Sequence, residues 1–129
     1  MPQEQQIRDT VTAYVESFNT QDRAKFVGLF AEDVVQIDPV GSAPNTGVPA
    51  LAAFWDGLFG SVDKVEFQIN DLIVSGDEAA LVFHITQTKP GATVTVDGID
   101  VFRLDDAGRI VQVKGYVDQA HIQVSESRP

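Results

Sequence analysis

The sequence predicts an α+β fold, with helices gathered in its first half and a run of strands in its second. Two observations carry this. Apolar residues recur at helical spacing as far as about residue 58 and then switch to a period of two. The connections between the later strands are short, which demands antiparallel pairing, and segregated elements of this kind make α+β architectures. A length of 129 residues favours one domain, residues 1–129, with only the last residues, 125–129, reading as a frayed tail.

The first helix runs over Glu4–Asn19, where Ile7, Val11, Tyr14, Val15 and Phe18 fall on one stripe. Asp22 is placed to cap a second, shorter helix whose Phe26, Leu29 and Phe30 share a face. A third helix covers residues 48 to about 58, with Pro49 in the first turn, where a missing N–H does no harm. Between the second and third helices, Val34-Val35-Gln36-Ile37 reads as a short strand ending at Asp38-Pro39. The residue before a proline is held extended, so the Asp38 carboxylate projects from a fixed strand end. One or two strands follow over residues 65–74, then strands over 78–88, 93–104 and 110–117, with turn residues between them.

Composition narrows the chemistry. The chain has no cysteine, which excludes a disulfide scaffold, a thiolate nucleophile and Cys-based zinc or iron–sulfur sites. Nineteen acidic against nine basic side chains give a net charge of −10, which works against binding nucleic acid or an anionic membrane. The polar N-terminus lacks the basic flank and apolar run of a signal peptide, and the longest apolar stretch, residues 48–55, is far short of a bilayer span. The expectation is a soluble, cytoplasmic protein handling something neutral or apolar. No serine elbow, phosphate loop or dinucleotide glycine pattern occurs. His84 and His121 stand apart without carboxylates at metal-ligand spacing, so no metal site is expected and both read as solvated or interface residues.

One charge is out of place. Counting by twos along residues 93–104, Val94, Val96, Gly98, Asp100, Phe102 and Leu104 share a face on which Asp100 is the only charge. Either Asp100 pairs with a buried N–H or an arginine, or a bulge turns it outward, or it is an acid in an apolar pocket held protonated by desolvation. Gly98, on the same face, leaves room for something to approach. Taken alone, Tyr14 is core packing with its hydroxyl reaching out, and Asp38 is a turn-forming aspartate. Together the three supply two O–H donors and one ionised base, a set suited to abstracting a proton next to a carbonyl.

At these residues the sequence resembles the bacterial Δ5-3-ketosteroid isomerases. The matching stretches are Ala13-Tyr14-Val15-Glu16, Ile37-Asp38-Pro39-Val40-Gly41, Ala52-Ala53-Phe54-Trp55 and Asp97-Gly98-Ile99-Asp100-Val101-Phe102-Arg103, running into Asp106-Ala107-Gly108-Arg109-Ile110. The resemblance covers residues 7–124, and its specificity lies in the order and spacing of short motifs. It implies the cone-shaped fold shared with nuclear transport factor-like proteins: three helices against a curved, mostly antiparallel sheet enclosing an apolar pocket. It implies isomerisation of 3-oxo-Δ5-steroids without a cofactor. Asp38 would match the base that moves a proton from C4 to C6, and Tyr14 and a neutral Asp100 the donors to the dienolate oxygen. Substrate would lie against Phe54, Trp55, Phe83, Val113 and Val117. Two further tyrosines support the oxyanion tyrosine in familiar members; the corresponding positions here are Trp55 and Phe30. The family's sheet-to-sheet homodimer would account for the apolar Ile99 and Val101 on the second face of the strand. A polyketide cyclase-like enzyme acting on another enolisable substrate, and a binding module that keeps the pocket without the chemistry, remain open alternatives.

Overall fold

Helix α1 spans Glu4–Asn19 and buries all five residues of its apolar stripe, Ile7, Val11, Tyr14, Val15 and Phe18. These positions come from a computed structural model that describes residues 1–126. Helix α2, Arg23–Val27, is capped by Asp22, whose carboxylate accepts from the Lys25 N–H at 3.1 Å. Helix α3, Val48–Ser61, has Pro49 in its first turn and runs three residues past the expected end. Nothing in Phe59-Gly60-Ser61 forces an earlier stop, and the chain turns extended only at Val62.

Phe30 does not belong to the second helix. It opens strand β1, Phe30–Ile37, which begins four residues before the predicted strand. Phe30 still faces the core, and its hydrophobic demand is met from a strand as well as from a helix. A two-residue strand, β2 (Asn45–Thr46), pairs with β1. Strand β3, Lys64–Ser75, is continuous, with a register shift between Ile69 and Asp71. That bulge moves the inward set from Val65 and Phe67 to Leu72 and Val74, so the period-two alternation slips and the sequence reads as one or two strands. Strands β4 (Glu78–Lys89), β5 (Ala92–Leu104) and β6 (Ile110–Tyr116) follow as antiparallel neighbours.

Strand β7, Ile122–Glu126, corrects the expected tail. Ser125 and Glu126 are not frayed but pair with Thr93 and Ala92 of β5. The rest of that tail, residues 127–129, lies outside the described residues. The sheet order is β2-β1-β6-β5-β4-β3, with β7 alongside the first half of β5. Among the described residues, only strands β1 and β6 run parallel, so the sheet is mixed but mostly antiparallel, curved and open. The helices cover one face, and α1 lies against β3, where Asn19 both donates to the Phe67 carbonyl (3.0 Å) and accepts from its N–H (2.7 Å). Among the described residues, no helix is long and apolar enough to cross a membrane.

Candidate active site

The inner face of β5 presents Asp100, Phe102 and Leu104 to the core, with Asp100 only 5% exposed. Register places Asp100 opposite Gly115 of β6, and Phe102 opposite Val113. On the other side of β6, parallel pairing with β1 continues to Ile37 opposite Lys114. The chain then carries Asp38 over Gly115, and the Val40 N–H anchors the turn by donating to the Gly115 carbonyl at 2.8 Å. The Asp38–Pro39 peptide is cis. A β-carbon on Gly115 would collide with the Asp38 carboxyl and come within 3.3 Å of Asp100 Oδ1. Both acids therefore sit over one glycine, and their convergence depends on its missing side chain.

Tyr14 approaches from α1. Its ring packs against Phe102 at a centroid distance of 4.9 Å and against Phe18 at 5.1 Å, with Phe26, Phe30 and Phe67 completing an apolar cage. Ser17 is buried behind it and donates to the Tyr14 carbonyl, not to the phenol. Among the described residues, no hydrogen bond to a protein group occupies the Tyr14 hydroxyl or the Asp100 carboxyl, and neither group is sealed from solvent. Both remain available to an incoming oxygen.

The electrostatics separate the two acids. Burial pushes the Asp100 carboxyl well above the usual carboxylate range, and the nearby Asp38 charge pushes it further. Burial also raises Asp38, but less, because this side chain is only partly withdrawn from water. Tyr14 is held well above the ordinary phenol value by burial first, and then by the charges of Asp100 and Asp38. Two carboxyls this close cannot both ionise cheaply, so the deeper one keeps its proton. These directions favour the neutral forms of Tyr14 and of the deeper Asp100 over that of the more exposed Asp38.

The residues expected to touch substrate are divided. Phe83 and Val117 line a cavity of about 560 Å³, together with Val40, Gly98, Ile99 and Tyr116. Trp55 lies instead in the aromatic core, 4.8 Å from Phe26 and 4.6 Å from Phe59, and Val113 is buried in the sheet. Phe54 is partly buried against the same core. Trp55, Phe54 and Val113 do not line that cavity, and neither do Tyr14, Asp38 and Asp100. Gly98 offers no free room: Phe83 Cζ, Val117 Cγ2 and the Tyr116 carbonyl would each stand 2.8 Å from an added β-carbon. The space made by that glycine is already filled by protein. His84 bonds Asp97 at 2.8 Å, and His121 bonds Asp118.

Sequence reasoning does not single out Gly115, although a signal exists. It interrupts the apolar alternation of β6 from inside the strand, which marks a close approach. Gln36 is the other residue missed: it lies on the same strand face as Asp38 and is 1% exposed.

The SnoaL-like domain family matches residues 11–113. The chain belongs to this family. A SnoaL-like domain is a cone-shaped fold of three helices on an open curved sheet, the architecture expected from the sequence. The family covers ketosteroid isomerases and polyketide cyclases. The Steroid Delta-isomerase of Nocardioides simplex is 25% identical over 111 residues, covering 86% of this chain and 89% of that protein. The crystal structure of the Δ5-3-ketosteroid isomerase of a Mycobacterium species is 27% identical with a TM-score of 0.85, covering 93% of this chain and 98% of that one. SalBIII, an epoxide hydrolase/cyclase-like enzyme of pyran ring formation in polyether salinomycin, is 23% identical. Its TM-score of 0.88, over 97% of this chain and 100% of that one, shows a shared SnoaL-like fold and no more.

Proposed function

We propose that this protein isomerises 3-oxo-Δ5-steroids to their Δ4 conjugated isomers through a dienolate. The observation that carries the reading is the pair of unequal acids over Gly115, with the buried Tyr14 phenol near enough to feel both of their charges. Asp38, the more exposed acid, takes a proton from C4, which the neighbouring carbonyl makes acidic. The electron pair moves into a dienolate whose oxygen gains negative charge. Tyr14 and the protonated Asp100 donate to that oxygen as the charge develops, and donors of this kind favour the transition state over the neutral ketone. Asp38, now protonated, returns its proton at C6, and the base is regenerated with no net change in protons. No cofactor enters this cycle, because the substrate's own carbonyl acidifies the C–H bond.

The likeness to the two steroid isomerases supports this substrate class over another enolisable ketone. We place the protein in the cytoplasm and assign it a homodimer through the outer sheet face. That face exposes Ile73, Ile99 and Tyr116 in register with Ala80, Val82 and Val101.

Mixing the protein with a 3-oxo-Δ5-steroid should give growing ultraviolet absorbance of the conjugated enone, lost in Asp38→Asn. Steroid binding without a spectral change would favour a non-catalytic binding module. Inertness towards steroids combined with activity on a polyketide-type ketone would favour a cyclase.

A further inference from the structure

Gln36 is the one polar group of the interior whose chemistry goes unused. Among the described residues, its Nε2 is the sole buried side-chain polar atom without a hydrogen-bond partner. The other end of the amide is committed: Asn45 Nδ2 donates to Gln36 Oε1 at 2.9 Å. No protein group serves the free N–H and it is closed off from the surface, so the fold carries a desolvated amide donor without a protein bond in return.

The position of that donor is informative. In the ladder, Gln36 pairs with Val113, and Val113 pairs with Phe102, the ring on which Tyr14 packs. Two residues further along the same faces come Asp38, Gly115 and Asp100. Gln36 thus occupies the layer directly beneath the two acids, on the side away from the cavity at Gly98. Val34, its other neighbour on that strand face, is fully buried in apolar core.

We propose that Gln36 is a specificity-determining residue whose Nε2–H is reserved for an oxygen acceptor at the buried end of the substrate. The class of ligand selected carries a carbonyl, enolate or hydroxyl oxygen at that end. A ligand ending in hydrocarbon leaves the amide unserved and binds more weakly for that reason. A ligand oxygen entering the layer below the acids meets a donor whose amide is already held by Asn45. This proposal rests on the ligand site being the one formed by Tyr14, Asp38 and Asp100, and it adds a fourth polar contact there.

The test uses Gln36→Leu and Gln36→Glu, with binding of a 3-oxo-Δ4-steroid followed by calorimetry and turnover of the Δ5 isomer by absorbance. Without steroid, Gln36→Leu should melt close to wild type, because the unserved Gln36 donor is gone but the part-buried Asn45 Nδ2 loses its acceptor. It should bind the 3-oxo-steroid about tenfold more weakly, with a matching loss in kcat/KM. Gln36→Glu, which when ionised accepts but cannot donate, should lose affinity as well. Should Gln36→Leu not fold, Gln36→Met repeats the comparison with a more adaptable side chain. Wild-type affinity and turnover in the apolar variants would overturn the role of Gln36 alone. A wild-type protein that neither binds nor converts the steroid would overturn the underlying site reading, and the role of Gln36 with it.

Discussion

Gly115 and Asp100 face each other across the β5–β6 ladder, and the absent side chain of Gly115 is what lets the Asp38 carboxyl stand beside Asp100. The glycine's backbone needs no unusual conformation, since its φ is not among the positive ones. Its value is space. Gly115→Ala should therefore fold with a melting temperature close to wild type while displacing Asp38. A shift of the proposed base by about 1 Å can cost on the order of a hundredfold in rate. Steady-state kinetics alongside a thermal melt check this; full activity in Gly115→Ala would show that Asp38 is not placed by the missing β-carbon.

Asp100→Asn should raise the melting temperature at pH 7 by a few °C while slowing turnover by tenfold or more. Burial and the Asp38 charge lift the folded-state pKa of Asp100. On the proposed mechanism the folded protein holds at neutral pH a proton that the unfolded chain releases. Stability from this group is complete below the unfolded value of about 3.9 and is lost as pH climbs from there through the raised folded value. Asparagine keeps a donor and removes that penalty. Melts of both proteins between pH 4 and 8 should converge at the acid end and separate at the neutral end.

Asp38→Asn should lose on the order of 10²–10⁴ in kcat, the range that general-base catalysis supplies, while apolar ligands bind as well as before or better. In the wild type, kcat/KM should fall as pH drops through the Asp38 pKa, because only the ionised form accepts a proton. Desolvation places that fall above the range of an exposed aspartate. A pH–rate profile locates it, and a flat profile through the carboxylate range would remove Asp38 as the base.

Tyr14→Phe leaves the ring contacts with Phe18, Phe26 and Phe102 in place and removes only a hydroxyl that bonds no described residue. Its melting temperature should equal or exceed wild type, with kcat down by about 10²–10³, the usual cost of one oxyanion donor. A large loss of stability would mean that the hydroxyl has a structural partner.

Asn19→Ala tests how α1 is held. The Asn19 amide satisfies both the N–H and the carbonyl of Phe67, and its loss leaves two part-buried backbone groups unpaired. A cost of about 1–3 kcal/mol is expected, read by denaturant unfolding. Turnover should fall less than in Tyr14→Phe, since the phenol remains.

The order of elements, the helical stripe carrying Tyr14 and the inward face carrying Asp100 are all written in local periodicity, because burial imposes 3.6- and 2-residue spacing on the chain. The Asp22 cap and Pro49 in the first turn of α3 are likewise local chemistry. The bulge in β3, the strand at residues 122–126 and the parallel pairing of β1 with β6 are not, since each depends on which strand lies alongside. The candidate site divides along the same line. Sequence alone supplied a phenol and two acids at suggestive positions. Only the ladder register, pairing residues far apart along the chain, set both carboxyls over Gly115, filled the space at Gly98 with Phe83 and Val117, and left the Gln36 amide sealed one layer below.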